Sequence, residues 1–379
     1  MAWGRDVRAE WQLDPDFLTV NHGSFGATPL VVRAEQDAWR ARMEAQPTRF
    51  MSQLPALLRE AADRLGLFVG AEGRDIAFLD NATTCCNAVL RSVTLAPGDE
   101  VLVLSHVYGA VRNTVRFVTE RAGAKMTEAA IPFPGTTEDG VVAAVAGALT
   151  ERTRLAVIDH ITSASALVLP VARIVTACRA AGVPVLVDGA HAPGQIDLDI
   201  PVIGADWYTG NCHKWPCAPK GSAFLWAAAE RQAGLHPTVI SHGLGQGFLT
   251  EFDWTGTRDP SAALSVPAAL EFHERLGGAD LRARNRTLAA EGAALVARRL
   301  NTETGTSGPM AGAMGLVRLP WPGAPMDLRT RLLAAGTDAP VHALAGVNWL
   351  RLSAFAYNEL DDYARLADLV ARVIREEQS

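Results

Sequence analysis

The chain has 379 residues and a mass of 40.4 kDa, which is enough for two domains and a large apolar core. Apolar residues make up 49% and charged residues 20%, a globular composition that excludes extended disorder. The net charge of −6 comes without a basic block, so nucleic acid is not an expected partner. No apolar run reaches the length of a membrane span, so we expect no membrane association.

Cysteine and histidine usage argues against a disulfide scaffold and a metal site. The five cysteines are an odd number, and neither they nor the nine histidines have a zinc-binding spacing. We therefore expect no metal. Residues 1–16 carry charges of both signs and no apolar segment, unlike a secretory signal. These features predict a reduced, cytoplasmic enzyme.

Short β-branched runs alternate with amphipathic segments through the first half of the chain. A first helix is predicted at 29–45. Buried strands are predicted at 76–79, 100–104, 155–160 and 183–188. Helices are predicted between them at 87–93, 108–121 and 171–181. This alternation predicts an α/β fold with a doubly wound, mainly parallel sheet.

The pattern changes after Asp259-Pro260, where turn residues interrupt the chain. A long helix is predicted at 262–276, continuing past two glycines into 280–300. Strands near 314–319 and 346–353 and a helix at 360–377 follow. The sequence therefore predicts a large domain at 18–260 and a small α+β domain made of 1–17 and 261–379.

Polar residues that follow buried strands are the candidates for ligand binding, because ligands of doubly wound sheets lie at the carboxyl ends of the strands. Small hydroxyl residues in segment 80–84 begin a helix, a pattern typical of a phosphate site or of an ordinary helix cap. Tyr108 follows the next strand and could stack on a planar ring or pack in the core. Segment 160–163 ends a strand with two hydroxyls, a weak signal by itself.

Two charged residues carry the chemistry. Asp188 ends an apolar strand, where a carboxylate needs a partner such as a ring N–H⁺ or a helix N-terminus. Lys214 lies between His213 and Trp215, in an apolar stretch where an amine would lose its proton and become nucleophilic. A phosphate site, a stacking ring, an aspartate and such a lysine together indicate pyridoxal 5′-phosphate as cofactor.

Longer motifs extend this pattern over nearly the whole chain. They are the segments 21–26, 106–110, 187–193, 210–215, 218–221, 251–259 and 351–353, with Tyr357-Asn358. With these motifs the chain resembles the class V aminotransferase superfamily, and within it the isopenicillin N epimerase-like branch. The resemblance implies the fold type I of pyridoxal phosphate enzymes, with a large seven-stranded, mainly parallel sheet and a smaller α+β C-terminal domain.

The resemblance also implies roles for individual residues. Lys214 would form the Schiff base and act as the base at the substrate α-carbon, while Asp188 would pair with the pyridine nitrogen. Tyr108 would stack on the ring, with Ser163 and His191 near the ring hydroxyl. The phosphate would be held by Ala82, Thr83, Asn211 and His213.

Further roles concern the substrate and the assembly. Arg351 would bind the substrate α-carboxylate, with Asn21 and Gly23 nearby. Thr257 would contact the phosphate of a neighbouring subunit, which implies a homodimer with shared sites.

The motifs leave the reaction open. Epimerisation or racemisation of an amino acid needs a second acid, for which Tyr108 and His22 are candidates. Alternatives are C–S β-lysis or decarboxylative deamination or transamination of a cysteine-type conjugate, and, lowest in rank, a module that binds the cofactor without turnover. Cysteine desulfurase chemistry is disfavoured, because it needs a late nucleophilic cysteine and the last one is Cys217. Ala164 and Ala166 replace Pro and Gly of the epimerase, and a short loop at 236–251 likewise disfavours its tripeptide substrate.

Overall fold

The computed structural model describes residues 3–306 and 308–378. Their strands, numbered in chain order, are β1 (Leu18–Thr19), β2 (Ile76–Leu79), β3 (Glu100–Leu104), β4 (Lys125–Ala129), β5 (Thr153–Asp159), β6 (Val185–Asp188), β7 (Trp207–Asn211), β8 (Ala223–Ala227), β9 (Met314–Arg318), β10 (Thr337–Asp338), β11 (Val341–Leu344) and β12 (Val347–Ser353).

The α-helices of the same residues are numbered in the same way. They are α1 (His22–Phe25), α2 (Leu30–Ala45), α3 (Pro47–Val69), α4 (Ala82–Ser92), α5 (Gly109–Ala122), α6 (Glu138–Ala148), α7 (Val171–Ala180), α8 (Ile200–Ile203), α9 (Phe248–Asp253), α10 (Ser261–Leu264), α11 (Val266–Arg275), α12 (Ala279–Arg299), α13 (Pro325–Ala334) and α14 (Leu360–Gln378). Short 3₁₀ turns lie at Gly4–Glu10, Gly73–Asp75, Ala229–Arg231 and Gly308–Met310.

The large sheet has seven strands in the order β2-β8-β7-β6-β5-β3-β4. Only β8 runs against the other six, so the sheet is mainly parallel, as predicted. Every residue of β2, β6, β7 and β8 is buried, because crossover helices cover both faces. The carboxyl ends of the parallel strands therefore meet at one edge, where the predicted site residues follow.

The smaller α+β part is built on a three-stranded antiparallel sheet, β11-β12-β9. The helices α12, α13 and α14 pack with this sheet around a core that includes Val317, Leu350 and Tyr363. The N-terminal strand β1 pairs in parallel with β10, so the start of the chain joins this part. The predicted α+β composition is thus observed.

The domain boundaries stay a prediction. A single apolar cluster contains Trp11, Leu54, Phe272 and Phe355, so residues on both sides of position 260 pack together. Leu18 and Val20, predicted to start the large domain, lie in the core around α12 and α14. These contacts hold the two parts against each other at the edge that carries the site.

The predicted elements are observed with ends that differ by up to five residues, and the long helix after Pro260 is divided. Several elements were not predicted, among them strands β4, β7 and β8 and helix α6. The long helix after Pro260 is interrupted: α11 ends at Arg275 and α12 begins at Ala279, because Gly277 and Gly278 have φ values of +117° and +50°. Helix α3, with 23 residues, was not predicted. Within residues 3–306 and 308–378, no helix is long and apolar enough to cross a membrane.

Candidate active site

A cavity of about 380 Å³ lies at the carboxyl edge of the large sheet. Segments after β2, β3, β5, β6 and β7 supply most of its lining. The structure brings together nine residues predicted for the cofactor: Ala82, Thr83, Tyr108, Ser163, Asp188, His191, Asn211, His213 and Lys214. The convergence follows from the parallel strand order, because neighbouring strands end at the same edge.

Lys214 lies in the turn after β7, inside the cavity. Burial and, to a smaller extent, the positive charge of Arg351 lower its pKa to about 7, while Asp188 opposes the shift. Its Nζ lies 3.1 Å from Nε2 of His191, whose pKa burial lowers well below the ordinary value. With a pKa of about 7, a large fraction of this lysine is a neutral amine near neutral pH, and the neutral amine is a nucleophile and a base.

Asp188 ends β6 and is only 4% exposed. Its Oδ1 accepts a hydrogen bond of 3.0 Å from the Ala190 N–H, and burial raises its pKa. The residue beside it on β5 is Asp159, whose Oδ2 is buried without a hydrogen-bond partner. A buried carboxylate that lines a cavity in this way suits a cationic N–H donor in that cavity.

The N-terminus of α4 forms one wall of the cavity. Asn81 caps this helix by accepting from the Thr84 N–H at 2.9 Å, and Asn211 Oδ1 accepts from the Ala82 N–H at 2.9 Å. Asn211 thus orders the helix start, which leaves Thr83 to face the cavity at the positive end of the helix dipole. This arrangement can hold a phosphate group.

His213 and Tyr108 contribute rings to the lining. The Nδ1 of His213 donates to the Ser222 carbonyl at 3.0 Å, and burial lowers the pKa of His213 to about 4. Tyr108 directly precedes α5, lines the cavity and is 46% exposed. Its ring is the one predicted to stack on the cofactor ring. An exposed aromatic ring beside a buried cavity is available to cover a planar group.

Arg351, on β12, reaches the site from the small sheet and is 2% exposed. Its Nη1 donates to the carbonyl and hydroxyl of Ser163 at 2.6 and 3.1 Å, and its Nη2 to Ser24 Oγ and Asn21 Oδ1 at 2.8 and 3.3 Å. Burial lowers its pKa to about 10, and Nε is buried without a partner. All these partners are neutral, so the guanidinium can still accept an anionic ligand.

Four predicted residues are not part of the cavity lining: Arg351, which contacts the lining residues Ser163 and Ser24, and Asn21, Gly23 and Thr257. Asn21 contacts Arg351, whereas the Gly23 N–H donates to Ser353 Oγ at 3.2 Å and packs α1 against β12. Thr257 is exposed in the segment between α9 and α10. Its contact with a neighbouring subunit stays a prediction.

His22, a candidate second acid, is buried and outside the lining. Its ring nitrogens lie 2.8 Å from the Tyr357 hydroxyl and 3.1 Å from the Lys214 carbonyl, and the ring stacks on Phe355. Burial lowers its pKa to about 3, so it is not a proton donor near neutral pH. Its contacts instead hold the backbone that carries Lys214.

Sequence reasoning missed Asp159, Ser24 and Phe25 as lining residues. Asp159 is the last residue of β5, a position where ligand-binding side chains are expected. It was missed because the strand was predicted to end one residue later. Ser24 and Phe25 belong to the motif at 21–26, and Ser24 accepts a hydrogen bond from Arg351, which is distant in sequence. Local sequence does not reveal that contact.

Solved structures with the same fold cover almost the entire chain. The complex of the cystine C–S lyase C-DES with cysteine persulfide has a TM-score of 0.79 at 23% identity, covering 95% of this chain and 98% of that one. The cysteine desulfurase of Thermococcus onnurineus NA1 has a TM-score of 0.84 at 17% identity, covering 99% of each chain. These likenesses define the fold.

Sequence relatives define the family. The family model "Aminotransferase class-V" matches residues 27–312. The probable chloroplastic L-cysteine desulfhydrase of Arabidopsis thaliana is 34% identical, covering 96% of this chain and 84% of that protein. The isopenicillin N epimerase of Amycolatopsis lactamdurans is 35% identical and covers 97% of each. The chain belongs to the class V aminotransferase family.

This membership confirms the expected family, an enzymatic activity and pyridoxal phosphate as cofactor. The cavity fits the group: the N-terminus of α4 suits its phosphate, Asp188 its ring nitrogen, and the amine of Lys214 its aldehyde. Bound there, the cofactor would supply an electron sink for a bond broken at the substrate α-carbon.

Proposed function

We propose that the protein is a carbon–sulfur β-lyase acting on a small cysteine-type amino acid. The observation that carries this proposal is that Lys214 lies in the cavity as a base, whereas burial lowers the pKa of both histidines of the lining, His191 and His213, so that neither is a protonated acid near neutral pH. The candidate acid His22 lies outside the lining. β-Elimination needs one base at the α-carbon, whereas epimerisation needs a second acid on the opposite face.

Cavity size also supports a small substrate. A volume of about 380 Å³ is near the lower end of the range for small-molecule sites, about 300–1,000 Å³. The cofactor takes up a large share of it, so the remaining space suits an amino acid better than a tripeptide. Relatives named L-cysteine desulfhydrase, such as the Arabidopsis protein, agree with this size class.

The residues then divide the work as follows. Arg351 binds the α-carboxylate through its guanidinium, whose present partners are all neutral. Lys214 takes the proton from the α-carbon, and Asp188 keeps the ring nitrogen of the cofactor protonated. The Cβ–S bond breaks, sulfur leaves as a thiol after protonation, and water completes the net conversion of cysteine to pyruvate, ammonia and hydrogen sulfide.

We also propose the homodimer, with Thr257 of each subunit contributing to the other site. The exposure of Thr257 outside its own cavity supports this arrangement. A light-scattering mass near twice 40.4 kDa is expected, and a monomer at assay concentration would contradict it. A cytoplasmic location likewise stays a proposal, to be checked by cell fractionation.

The reaction is tested by incubating the holoenzyme with L-cysteine, L-cystine and S-methyl-L-cysteine. Equal molar amounts of pyruvate and ammonia are expected from at least one of them, together with hydrogen sulfide from L-cysteine, cysteine persulfide from L-cystine or methanethiol from S-methyl-L-cysteine. Lys214→Ala should abolish their formation. The matched control Lys125→Ala removes an exposed lysine far from the cavity lining and should keep the activity.

Epimerisation is the second candidate, because the epimerase of Amycolatopsis lactamdurans matches over 97% of the chain and the Tyr108 ring lines the cavity. It predicts deuterium at the α-carbon and the opposite enantiomer in D₂O, both dependent on the Tyr108 hydroxyl. Enantiomer formation without pyruvate, lost in Tyr108→Phe, would replace the lyase proposal by this one.

A further inference from the structure

Arg351 has no carboxylate among its hydrogen-bond partners, but one of those partners, Asn21, is itself hydrogen-bonded to a carboxylate. Asn21 accepts from Arg351 through Oδ1 and donates through Nδ2 to Asp338 Oδ2 at 2.5 Å. Asp338 in turn accepts from Arg329, with Nε to Oδ1 at 2.8 Å and Nη2 to Oδ2 at 3.0 Å. The four side chains form one continuous chain of hydrogen bonds that ends at the candidate carboxylate-binding arginine.

The backbone holds this chain in a fixed register. Asp338 is on β10, where it pairs with Thr19 of β1, two residues before Asn21. The N–H of Arg351 donates to the Pro340 carbonyl at 2.8 Å, two residues after Asp338. The Asp338 side chain is 15% exposed and that of Arg329 is 26% exposed, so solvent screens this pair only in part.

The ionised carboxylate of Asp338 determines which way the Asn21 amide faces. A carboxylate only accepts hydrogen bonds, so the amide must turn its NH₂ group toward Asp338 and its oxygen toward Arg351 and Ser24. With the amide reversed, oxygen would face oxygen at Asp338, and NH₂ would face the donor Nη2 of Arg351. Each reversed contact leaves a partly buried polar group without a partner.

Asp338 also separates two positive charges. Arg329 and Arg351 repel each other electrostatically, and Asp338 attracts both. His342, on β11, faces the same two arginines and is neutral, because burial lowers its pKa to about 3. Asp338 therefore compensates the charge of Arg351 without itself accepting a hydrogen bond from the guanidinium.

We propose that Asp338 is a positioning residue for substrate binding, which orients Arg351 through Asn21 toward the α-carboxylate of the amino acid. The inference rests on the proposed function only in that the ligand of Arg351 is an α-amino acid. It holds equally for a lyase and for an epimerase. Asp338 itself touches neither substrate nor cofactor.

The test measures the binding of L-alanine to the holoenzyme, with the change in cofactor absorption as the signal. L-Alanine lacks a leaving group at its β-carbon, so elimination does not consume it. Asp338→Asn should raise its dissociation constant about 3- to 30-fold, as expected for a residue that acts through a network. The matched control Asp368→Asn removes the same charge from an ion pair between Asp368 on α14 and Arg299 on α12, and its dissociation constant should stay within about twofold of wild type.

Ethylamine, which lacks the carboxylate, separates positioning from general damage. Its dissociation constant and the absorption of the ligand-free holoenzyme should be unchanged in Asp338→Asn. Asn21→Ala provides a second variant: it should weaken L-alanine binding to a similar extent, and adding Asp338→Asn to it should have little further effect. The single variant Asn21→Ala keeps the test decisive if Asp338→Asn folds poorly.

Three outcomes would overturn parts of the reasoning. Unchanged L-alanine binding in Asp338→Asn or in Asn21→Ala would refute the positioning role. Equal weakening of L-alanine and ethylamine would refute it too, because only the carboxylate should be affected. A wild-type holoenzyme whose spectrum responds to no α-amino acid would instead refute the proposed function.

Discussion

The depressed pKa of Lys214 predicts how this amine reacts as a function of pH in the cofactor-free protein. Burial lowers its pKa to about 7, so it loses its proton as the pH rises through 7. At pH 8 about 90% of Lys214 would be neutral, against roughly 0.4% of a lysine with the reference pKa of about 10.4. The neutral fraction differs roughly 200-fold.

Trace acetylation with acetic anhydride between pH 5 and 11, read by peptide mass spectrometry, measures this difference. The chain has only three lysines, Lys125, Lys214 and Lys220, so each is followed separately. Labelling of Lys214 should rise with a midpoint near pH 7, while exposed Lys125 serves as the reference in the same sample. Slow access to the cavity scales the rate equally at each pH and leaves the midpoint unchanged.

A midpoint near 10 for Lys214 would refute the reasoning, because the amine would then be hydrated and protonated like a surface lysine. Arg351→Met provides a further check, since Arg351 is the positive charge that lowers the Lys214 pKa after burial. Removing that charge should move the midpoint to higher pH. A shift to lower pH would contradict the assigned cause.

Two further predictions concern the cofactor site and its backbone. Asp188→Asn should lower kcat by roughly 100-fold or more and alter the cofactor absorption, because an amide does not stabilise a protonated ring nitrogen. The control Asp206→Asn, at the opposite end of the sheet, should change neither kcat nor the absorption. Gly26→Ala should lower the free energy of urea unfolding by about 2 kcal/mol more than Gly98→Ala does. Both glycines have a positive φ, but only at Gly26 would an added Cβ overlap a backbone carbonyl, that of His213. Equal unfolding free energies would contradict this packing.

The strand-end rule predicted most of the cavity because it depends on local sequence and on one topological fact. Asp188 and Lys214 each follow an apolar run, and parallel strands bring such positions to one edge. Asp159 was missed because the strand was predicted to end one residue later, which placed Asp159 inside the strand instead of at its end. Local patterns thus identify candidate residues more securely than element boundaries.

Other features lay outside the reach of local patterns. Helix α3 begins with Pro47 and contains the exposed Pro55, and both prolines read as helix breakers although the rest of the helix buries a long apolar face. The link from Asp338 to Arg351 depends on the pairing of two-residue strands from opposite ends of the chain. Nothing in either short segment signals that pairing.

The placement of Arg351 on β12 has a consequence for biosynthesis. Lys214 leaves the ribosome roughly 140 residues before Arg351, which at 5–20 residues per second means about 7 to 28 s, and Asp188 leaves it earlier still. During that interval the nascent chain carries Lys214 without Arg351, whose charge acts on the lysine amine in the finished fold. The proposed binding site for the substrate carboxylate is therefore completed only after the last strand of the small sheet has been translated and has docked.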